Sequence, residues 1–418
     1  MNKKKTIVVG AGIIGLCSAY FLNKRGFEVT VIDAGDGMSN CSVGNAGFFC
    51  PSHVIPLAAP GIITQGLKWM FNGKSPFYVR PRLNQELISW AWKFKKAATN
   101  TRVAKAVPLL HALTTRSQAL MEELLQQEPF QDVGYSKTGL LMLSKSRKVL
   151  HHEMEAAKIA KSQGQEVEIL KPSEVVRFNP ELEMDVCGAV YYPNDSMVSP
   201  HILLASFRQK LIGQGVNFLL NTAVESLERQ NGKIAGVKTA DAILRADQFI
   251  VTTGSATSAF LKPLGLNLPM QGGKGYSMTI PYPKAKPLTP AILCDGKVSM
   301  SPMLDGLRFS GTMEIDGYNP KINQHRIEGI IDTVTSFLPG FQRSAFDQVK
   351  PWAGFRPCSP DGLPYIGKPK KVGNLTIATG HAMLGLTLGP ITGQLVADII
   401  SNQKTFTDIS LLDVDRYN

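Results

Sequence analysis

The chain has 418 residues, 44% of them hydrophobic and 19% charged, with a formal net charge of +12 at pH 7. That length suits two or three domains around a large core, and the composition excludes disordered, fibrous and collagenous classes. No apolar run approaches the roughly 20 residues that cross a bilayer, no basic stripe carries a nucleic-acid motif, and six scattered cysteines without a CxxC pair form neither a zinc site nor a disulfide framework.

The first 33 residues hold the strongest pattern. An apolar strand at 6–9 runs into Gly10-Ala11-Gly12-Ile13-Ile14-Gly15, a helix follows with Leu16, Ala19, Tyr20 and Leu22 as apolar positions, and a second strand at 28–32 ends at Asp33. This is the βαβ dinucleotide fingerprint in its required context: glycines for the tight turn, for close approach of a pyrophosphate and for helix–strand packing. The helix N-terminus offers unpaired N–H groups to phosphate, and Asp33 stands where an acid can hold ribose hydroxyls. The same glycines explain the apolar stretch 7–22, so no signal peptide is read and a cytoplasmic location is expected.

Residues 36–61, rich in Gly, Ser, Asn and Pro, read as loop, and 62–130 as mainly helical. A buried strand is expected at 139–143, a helix at 150–162, another helix at Lys171-Pro172-Ser173-Glu174 capped by Ser173, and a strand at 187–192. Pro200 opens a helix to 212, followed by strands at 216–220, 222–227, 233–239 and 246–252 that end in Thr253-Gly254. This repeats the rhythm of a nucleotide domain. Short alternating strands at 275–280, 297–300 and 307–312, with a helix at 325–337, read as an inserted antiparallel sheet. The tail returns with a strand at 375–378, a turn at Gly380-His381 and a helix at 393–400. The expected fold is therefore α/β: a discontinuous Rossmann-like domain (1–62, 196–263, 353–418) and a second domain (63–195, 264–352) built on a large, mainly antiparallel β-sheet.

Four blocks, spread from end to end, carry a resemblance. They are the fingerprint with Asp33; Ser42-Val43-Gly44-Asn45-Ala46-Gly47 followed by Leu57-Ala58-Ala59-Pro60-Gly61; the run from Gly354-Phe355-Arg356-Pro357 to Gly367; and Thr379-Gly380-His381 with Gly385-Leu386-Thr387. Together they resemble the FAD-dependent amine and D-amino-acid oxidoreductases, the group holding D-amino-acid oxidase, glycine oxidase and bacterial D-amino-acid dehydrogenase. The Asn-Ala-Gly and Ala-Ala-Pro-Gly pieces, Lys274-Gly275-Tyr276-Ser277 and Lys68-Trp69-Met70-Phe71 are most similar to the dehydrogenase branch.

The resemblance implies a glutathione-reductase type FAD domain. FAD would be contacted by residues 10–15, Asp33, Ala34, Cys41, Ser42, Asn45, Ala46, Gly47, Val224, Gly254, Gly380, His381, Leu384, Gly385, Leu386 and Thr387. No cysteine lies in 375–395, so non-covalent FAD is expected. A loop feeding a helix N-terminus at 380–387 could stabilise negative charge on the reduced flavin, though a plain helix-capping turn is the alternative.

Arg356 is the implied carboxylate ligand, because a guanidinium fork grips a carboxylate bidentately; the competing reading pairs it with Asp361. Tyr276 either donates to the same carboxylate or merely packs. His53 lines the pocket or its rim, and His381 borders the flavin. No obligatory base is needed when hydride moves from Cα to flavin N5 and catalysis is by positioning. A second tyrosine and a second arginine of glycine oxidase would fall near Ser299 and Met383 and are absent, which implies bulkier, less polar substrates.

The implied reaction converts a D-amino acid to its imino acid, which water hydrolyses to the 2-oxo acid, with a quinone or another respiratory acceptor taking the electrons. A secondary amine such as a D-proline derivative, or oxygen-using glycine- or sarcosine-type oxidation, are the alternatives. A nicotinamide dehydrogenase or a redox-inactive nucleotide sensor leaves the Arg-Pro block and the Gly-His turn unexplained. Trp69, Trp90 and Trp92 lie among Lys68, Lys74, Arg80, Arg82, Lys93, Lys95 and Lys96. That mixture fits either a membrane interface or a helical surface with its tryptophans turned inward. The resemblance favours peripheral contact with the inner face of the cell membrane.

Overall fold

The computed structural model describes the chain except Met1, Asn2, Phe71, Tyr282 and Lys284, so Phe71 of the Lys68–Phe71 segment lies outside the described residues. Two large sheets organise it. The first has six strands in the order Tyr365–Gly367, Leu375–Thr379, Gln248–Val251, Lys5–Val9, Glu28–Ile32, Asn217–Leu219. All neighbours are parallel except the outermost pair, Tyr365–Gly367 with Leu375–Thr379.

A parallel sheet covered on both faces needs apolar residues at consecutive positions. Lys5–Val9 supplies them: Val8 joins a core on one face, while Ile7 and Val9 join another on the opposite face. The first core is closed by helices Ile13–Lys24 and Gly389–Ile400, whose backbones meet where Gly393 leaves no room for a Cβ against Cys17. The second lies under a three-stranded sheet, Val224–Gln230, Lys233–Thr239 and Ile243–Leu244, through Leu227, Ile234 and Val237.

The second large sheet has nine strands. Eight follow the order Trp352–Cys358, Gln271–Ile280, Gly306–Ile315, Val298–Met303, Ala291–Leu293, Leu140–Ser144, Gly188–Tyr192, Glu168–Leu170, and Phe77–Val79 adds to Gly306–Ile315. Two pairs are parallel, Ala291–Leu293 with Leu140–Ser144 and Phe77–Val79 with Met313 to Ile315; the rest are antiparallel. Helix Gln324–Phe337 buries Ile327, Ile330 and Val334 in a core shared with Met278, Met300 and Phe309.

Several local expectations change. The 62–130 stretch contains helices Ile62–Met70, Gln85–Ala97 and Asn100–Leu125, but Phe77–Val79 is a strand, recruited by long-range pairing. Ser173 caps nothing: it lies within the four-residue helix Pro172–Val175, where Glu174 accepts the N–H of Lys171 at 2.7 Å. The last helix begins at Gly389, four residues early, because Pro390 is acceptable in a first turn. Trp352–Cys358 belongs to the nine-stranded sheet, so an expected boundary at 353 cuts a strand.

Candidate active site

Strand Lys5–Val9 delivers the glycine turn to the edge of a cavity of about 1290 Å³ between the two sheets. Gly10 adopts φ +110, and Thr252 stands against it, its hydroxyl donating to the carbonyls of Val9 (2.9 Å) and Gly10 (3.1 Å). A Cβ on Gly15 would collide with the Gly10 carbonyl oxygen, so that position is fixed by packing within the turn. Gly12 differs: its φ is −74, and a Cβ there would meet only Ser42 Oγ, at 3.3 Å. The turn holds this space open without needing it for its own packing.

Asp33 closes the turn. Its carboxylate oxygens accept the N–H groups of Ala11 (2.6 Å) and Gly35 (2.8 Å). Helix Ile13–Lys24 has no side-chain cap from its N-cap residue, and Ser42 reaches in from the next loop to accept the N–H of Ile13 at 3.1 Å. That loop is itself fixed from the other sheet: buried Arg308 donates from Nη1 to the carbonyls of Val43 and Asn45, both at 2.8 Å. Asn45 accepts the N–H of Gly47, and Phe355 donates its N–H to Cys41 Sγ at 3.2 Å.

At the C-terminal end, Gly380 takes φ +80 against Tyr365 and Thr387 donates to the carbonyl of Phe48 at 2.9 Å. His381 is buried, bonded through Nε2 to Thr392 Oγ1 at 2.9 Å, and burial pushes its pKa down to about 3. It is a neutral brace between turn and helix.

Most of the expected cofactor residues come together. Gly10, Gly12, Ile13, Ile14, Asp33, Ala34, Cys41, Ser42, Asn45 and Ala46 line the cavity, as do Val224, Gly254, His381, Leu384, Gly385, Leu386 and Thr387. Ala11, Gly15, Gly47 and Gly380 do not; they lie behind the wall and shape it. An open cradle at Gly12, a helix N-terminus without a side-chain cap from its own N-cap residue and an acid at the end of the second strand fit an adenine dinucleotide, with Asp33 and the fingerprint at the phosphate–ribose end.

The three expected catalytic residues also line the cavity but differ in what they offer. Arg356 projects from strand Trp352–Cys358, opposite Gly273, and passes over Gly275, where any Cβ would strike the guanidinium. Its Nη1 donates to the carbonyl of Thr312 at 2.7 Å, a residue held at φ +71. Among the described residues no carboxylate lies within ion-pair distance of it. Asp361, the competing partner, is held by Arg416 instead, through Nε–Oδ2 at 2.8 Å and Nη2–Oδ1 at 3.0 Å. Burial lowers the Arg356 pKa from its ordinary value, and a guanidinium nevertheless stays protonated.

Tyr276 is a correction. Its hydroxyl donates to Glu314 Oε2 at 2.6 Å, within a buried group where Lys274 Nζ lies 2.7 Å from Asp316 and 3.4 Å from Glu314. The ring walls the cavity; the hydroxyl is committed elsewhere. His53 is a third exposed, contacts Ser52 Oγ through Nδ1 at 3.1 Å, and is pushed down to about 4 by burial. It is a neutral wall residue.

Sequence reasoning missed Arg308 and Thr252. Neither sits in a motif: each acts on a backbone carbonyl more than 200 residues away. The tryptophans divide. Trp90 is buried and donates Nε1–H to the carbonyl of Cys358 at 2.9 Å. Trp69 lines the cavity, and Trp92 is exposed beneath Lys95 and Lys96.

Comparison with known proteins agrees with this geometry. The model of the FAD dependent oxidoreductase family matches residues 5–399. D-amino acid dehydrogenases from Allorhizobium ampelinum and Bradyrhizobium diazoefficiens are 32% and 29% identical; each match covers 99% of this chain, and 98% and 99% of the relatives. Among solved structures, glycine oxidase from Geobacillus kaustophilus matches with a TM-score of 0.78 at 21% identity over the whole of both chains. L-proline dehydrogenase from P. horikoshii matches at 0.74 and 20%, covering 100% of this chain and 98% of that one.

Proposed function

The chain belongs to the FAD-dependent oxidoreductases and is an enzyme of amino-acid oxidation, and we propose that its substrates are D-amino acids held by Arg356. Bound FAD supplies the two-electron acceptor for the Cα hydrogen. This chain's residues bind and orient. Arg356, tethered by Thr312 and lacking an acid partner among the described residues, grips the substrate carboxylate. Gly275 leaves the guanidinium its place, and the Tyr276 ring and neutral His53 wall the site. With no protein base required, the chain contributes chiefly by excluding water and fixing the Cα–H direction.

The Arg356 guanidinium, lining the cavity with no carboxylate partner among the described residues, is the observation that carries this reading. The names of the relatives at 29–32% identity support the D configuration. Anaerobic flavin bleaching against matched D- and L-amino acids tests it. Bleaching by D-isomers alone is expected; bleaching by L-isomers alone, or by glycine alone, overturns it.

The acceptor is proposed to be a membrane quinone rather than oxygen. The support is a surface at the cavity mouth. Helices Ile62–Met70 and Gln85–Ala97 and the segment before the latter expose Ile63, Leu67, Leu83, Ile88 and Trp92, beside Lys95 and Lys96, and no helix among the described residues is long and apolar enough to span a bilayer. Such a surface suits shallow insertion with electrostatic attraction to anionic lipid. Stopped-flow reoxidation should be fast with a quinone analogue and slow with oxygen. Sedimentation with anionic vesicles should weaken as salt rises. Equal reoxidation rates without vesicle binding would mark an oxidase.

A further inference from the structure

Across the nine-stranded sheet from Arg356 the same cavity reaches an ion pair set among the side chains of Met142, Tyr192 and Ile292. Lys297 Nζ lies 2.8 Å from Glu153 Oε1, the glutamate being nearly buried on helix Arg147–Ser162. His53 stands within electrostatic range of both. Behind it Ser52 Oγ donates to Asp195 Oδ2 at 2.5 Å and contacts His53 Nδ1 at 3.1 Å. The Arg356 guanidinium, bonded to Thr312, already reaches strand Gly306–Ile315, and one strand spacing of about 5 Å separates that strand from Val298–Met303, which Lys297 precedes.

The charge count limits what this end can accept. Lys297 and Glu153 cancel, and His53 is neutral at pH 7, its pKa pushed to about 4 by burial. Yet capacity is left over. An ammonium has three donors, of which Glu153 takes one, and the second carboxylate oxygen of Glu153 has no protein donor among the described residues. A charged side chain would meet a neutral pair and have to break it. An apolar one would cover a lysine and a glutamate while returning no hydrogen bond, which costs the desolvation of each.

We propose that the Glu153–Lys297 pair with His53 is the subsite for the substrate's side chain, and that it takes an uncharged group that both donates and accepts hydrogen bonds, a hydroxyl or a carboxamide. This rests on the carboxylate role given to Arg356. Lys297 donates to the substrate oxygen, Glu153 accepts from its O–H or N–H, and Ser52 and Asp195 hold the His53 ring as the third wall.

The test uses the holoenzyme and isosteric pairs, D-threonine with D-valine and D-asparagine with D-leucine, in anaerobic stopped-flow flavin reduction. The limiting rate over Kd should favour the polar member by at least about 100-fold, since a site built to hydrogen-bond a group discriminates strongly against its absence. In Glu153→Gln/Lys297→Met, with flavin content verified, the preference should fall below about tenfold. If that double variant does not retain flavin, Glu153→Gln alone is read, and the ratio should still fall. Equal reduction by both members of the pairs, or a ratio unchanged in the variant that is read, overturns the subsite. If no α-amino acid of either hand bleaches the flavin, the carboxylate reading of Arg356 fails instead.

Discussion

Replacing Arg356 should separate flavin binding from substrate binding, and the geometry sets the size of the effect. One guanidinium N–H is used on Thr312, which leaves donors for a bidentate grip. Charge-assisted hydrogen bonds contribute about 1.5–3 kcal/mol each, so losing two removes roughly 3–6 kcal/mol of transition-state binding. At about 1.4 kcal/mol per decade, kcat/KM for a D-amino acid should fall by roughly 10²–10⁴ in Arg356→Ala. Arg356→Lys should recover little, because an ammonium lacks the planar fork. Gly275→Ala offers an independent arm: the arginine stays, but its position is taken by a methyl group. It should reproduce a substantial part of the loss. The assay is anaerobic flavin reduction over a range of substrate, with bound flavin quantified by absorbance. A kcat/KM within tenfold of wild type in Arg356→Ala, flavin intact, would refute the assignment.

Gly12→Ala should fold but lose FAD affinity, because its new methyl meets only the Ser42 hydroxyl; Gly15→Ala, which collides with the Gly10 carbonyl, should lower the yield of folded protein. Fluorescence titration of apoprotein with FAD, beside far-UV circular dichroism, distinguishes the two. Asp361→Ala strands the largely covered Arg416 and should cost about 3 kcal/mol in urea denaturation, since breaking a mostly desolvated pair leaves one charge uncompensated; a loss within about 0.5 kcal/mol, the ordinary size of a surface substitution, would contradict that. Burial holds the His381 pKa at about 3, below the unfolded value of 6.5, so its contribution is present above 6.5 and lost as pH falls toward 3. The Tm difference between wild type and His381→Gln should therefore shift against wild type between pH 7 and pH 5. A pH-independent difference would mean that His381 is not held neutral.

The sequence made the nucleotide half legible because its chemistry is local. Gly10, Gly12, Gly15 and Asp33 lie within 24 residues, and Asp33 bonds straight back to Ala11. Strands 28–32 and 233–239 are legible to the residue, since Val29-Thr30-Val31-Ile32 runs into Asp33 and the Asn231-Gly232 turn opens the second. What stayed hidden depends on partners far away. Phe77–Val79 is a strand only because Met313 to Ile315 offer a free edge. Arg308 sits among ordinary alternating strand residues, and only the third dimension brings Val43 and Asn45 to it. Tyr276 reads equally as a carboxylate donor or as a packing residue until Glu314 is seen beside it.

The junction of helices Ile13–Lys24 and Gly389–Ile400, closed on Gly393 and Cys17, bears on how the molecule is made. The dinucleotide turn is translated first, yet the strand and helix that complete its core, Leu375–Thr379 and Gly389–Ile400, arrive last. For most of synthesis the fingerprint strand has one side of its sheet unfinished and Ile13, Leu16 and Cys17 uncovered. At about 5–20 residues per second this lasts roughly 20 seconds or more, a window in which exposed apolar surface invites aggregation. Flavin capture is consequently a late event, and a ribosome stalled before residue 375 should release a chain that cannot hold the cofactor, however complete its second sheet.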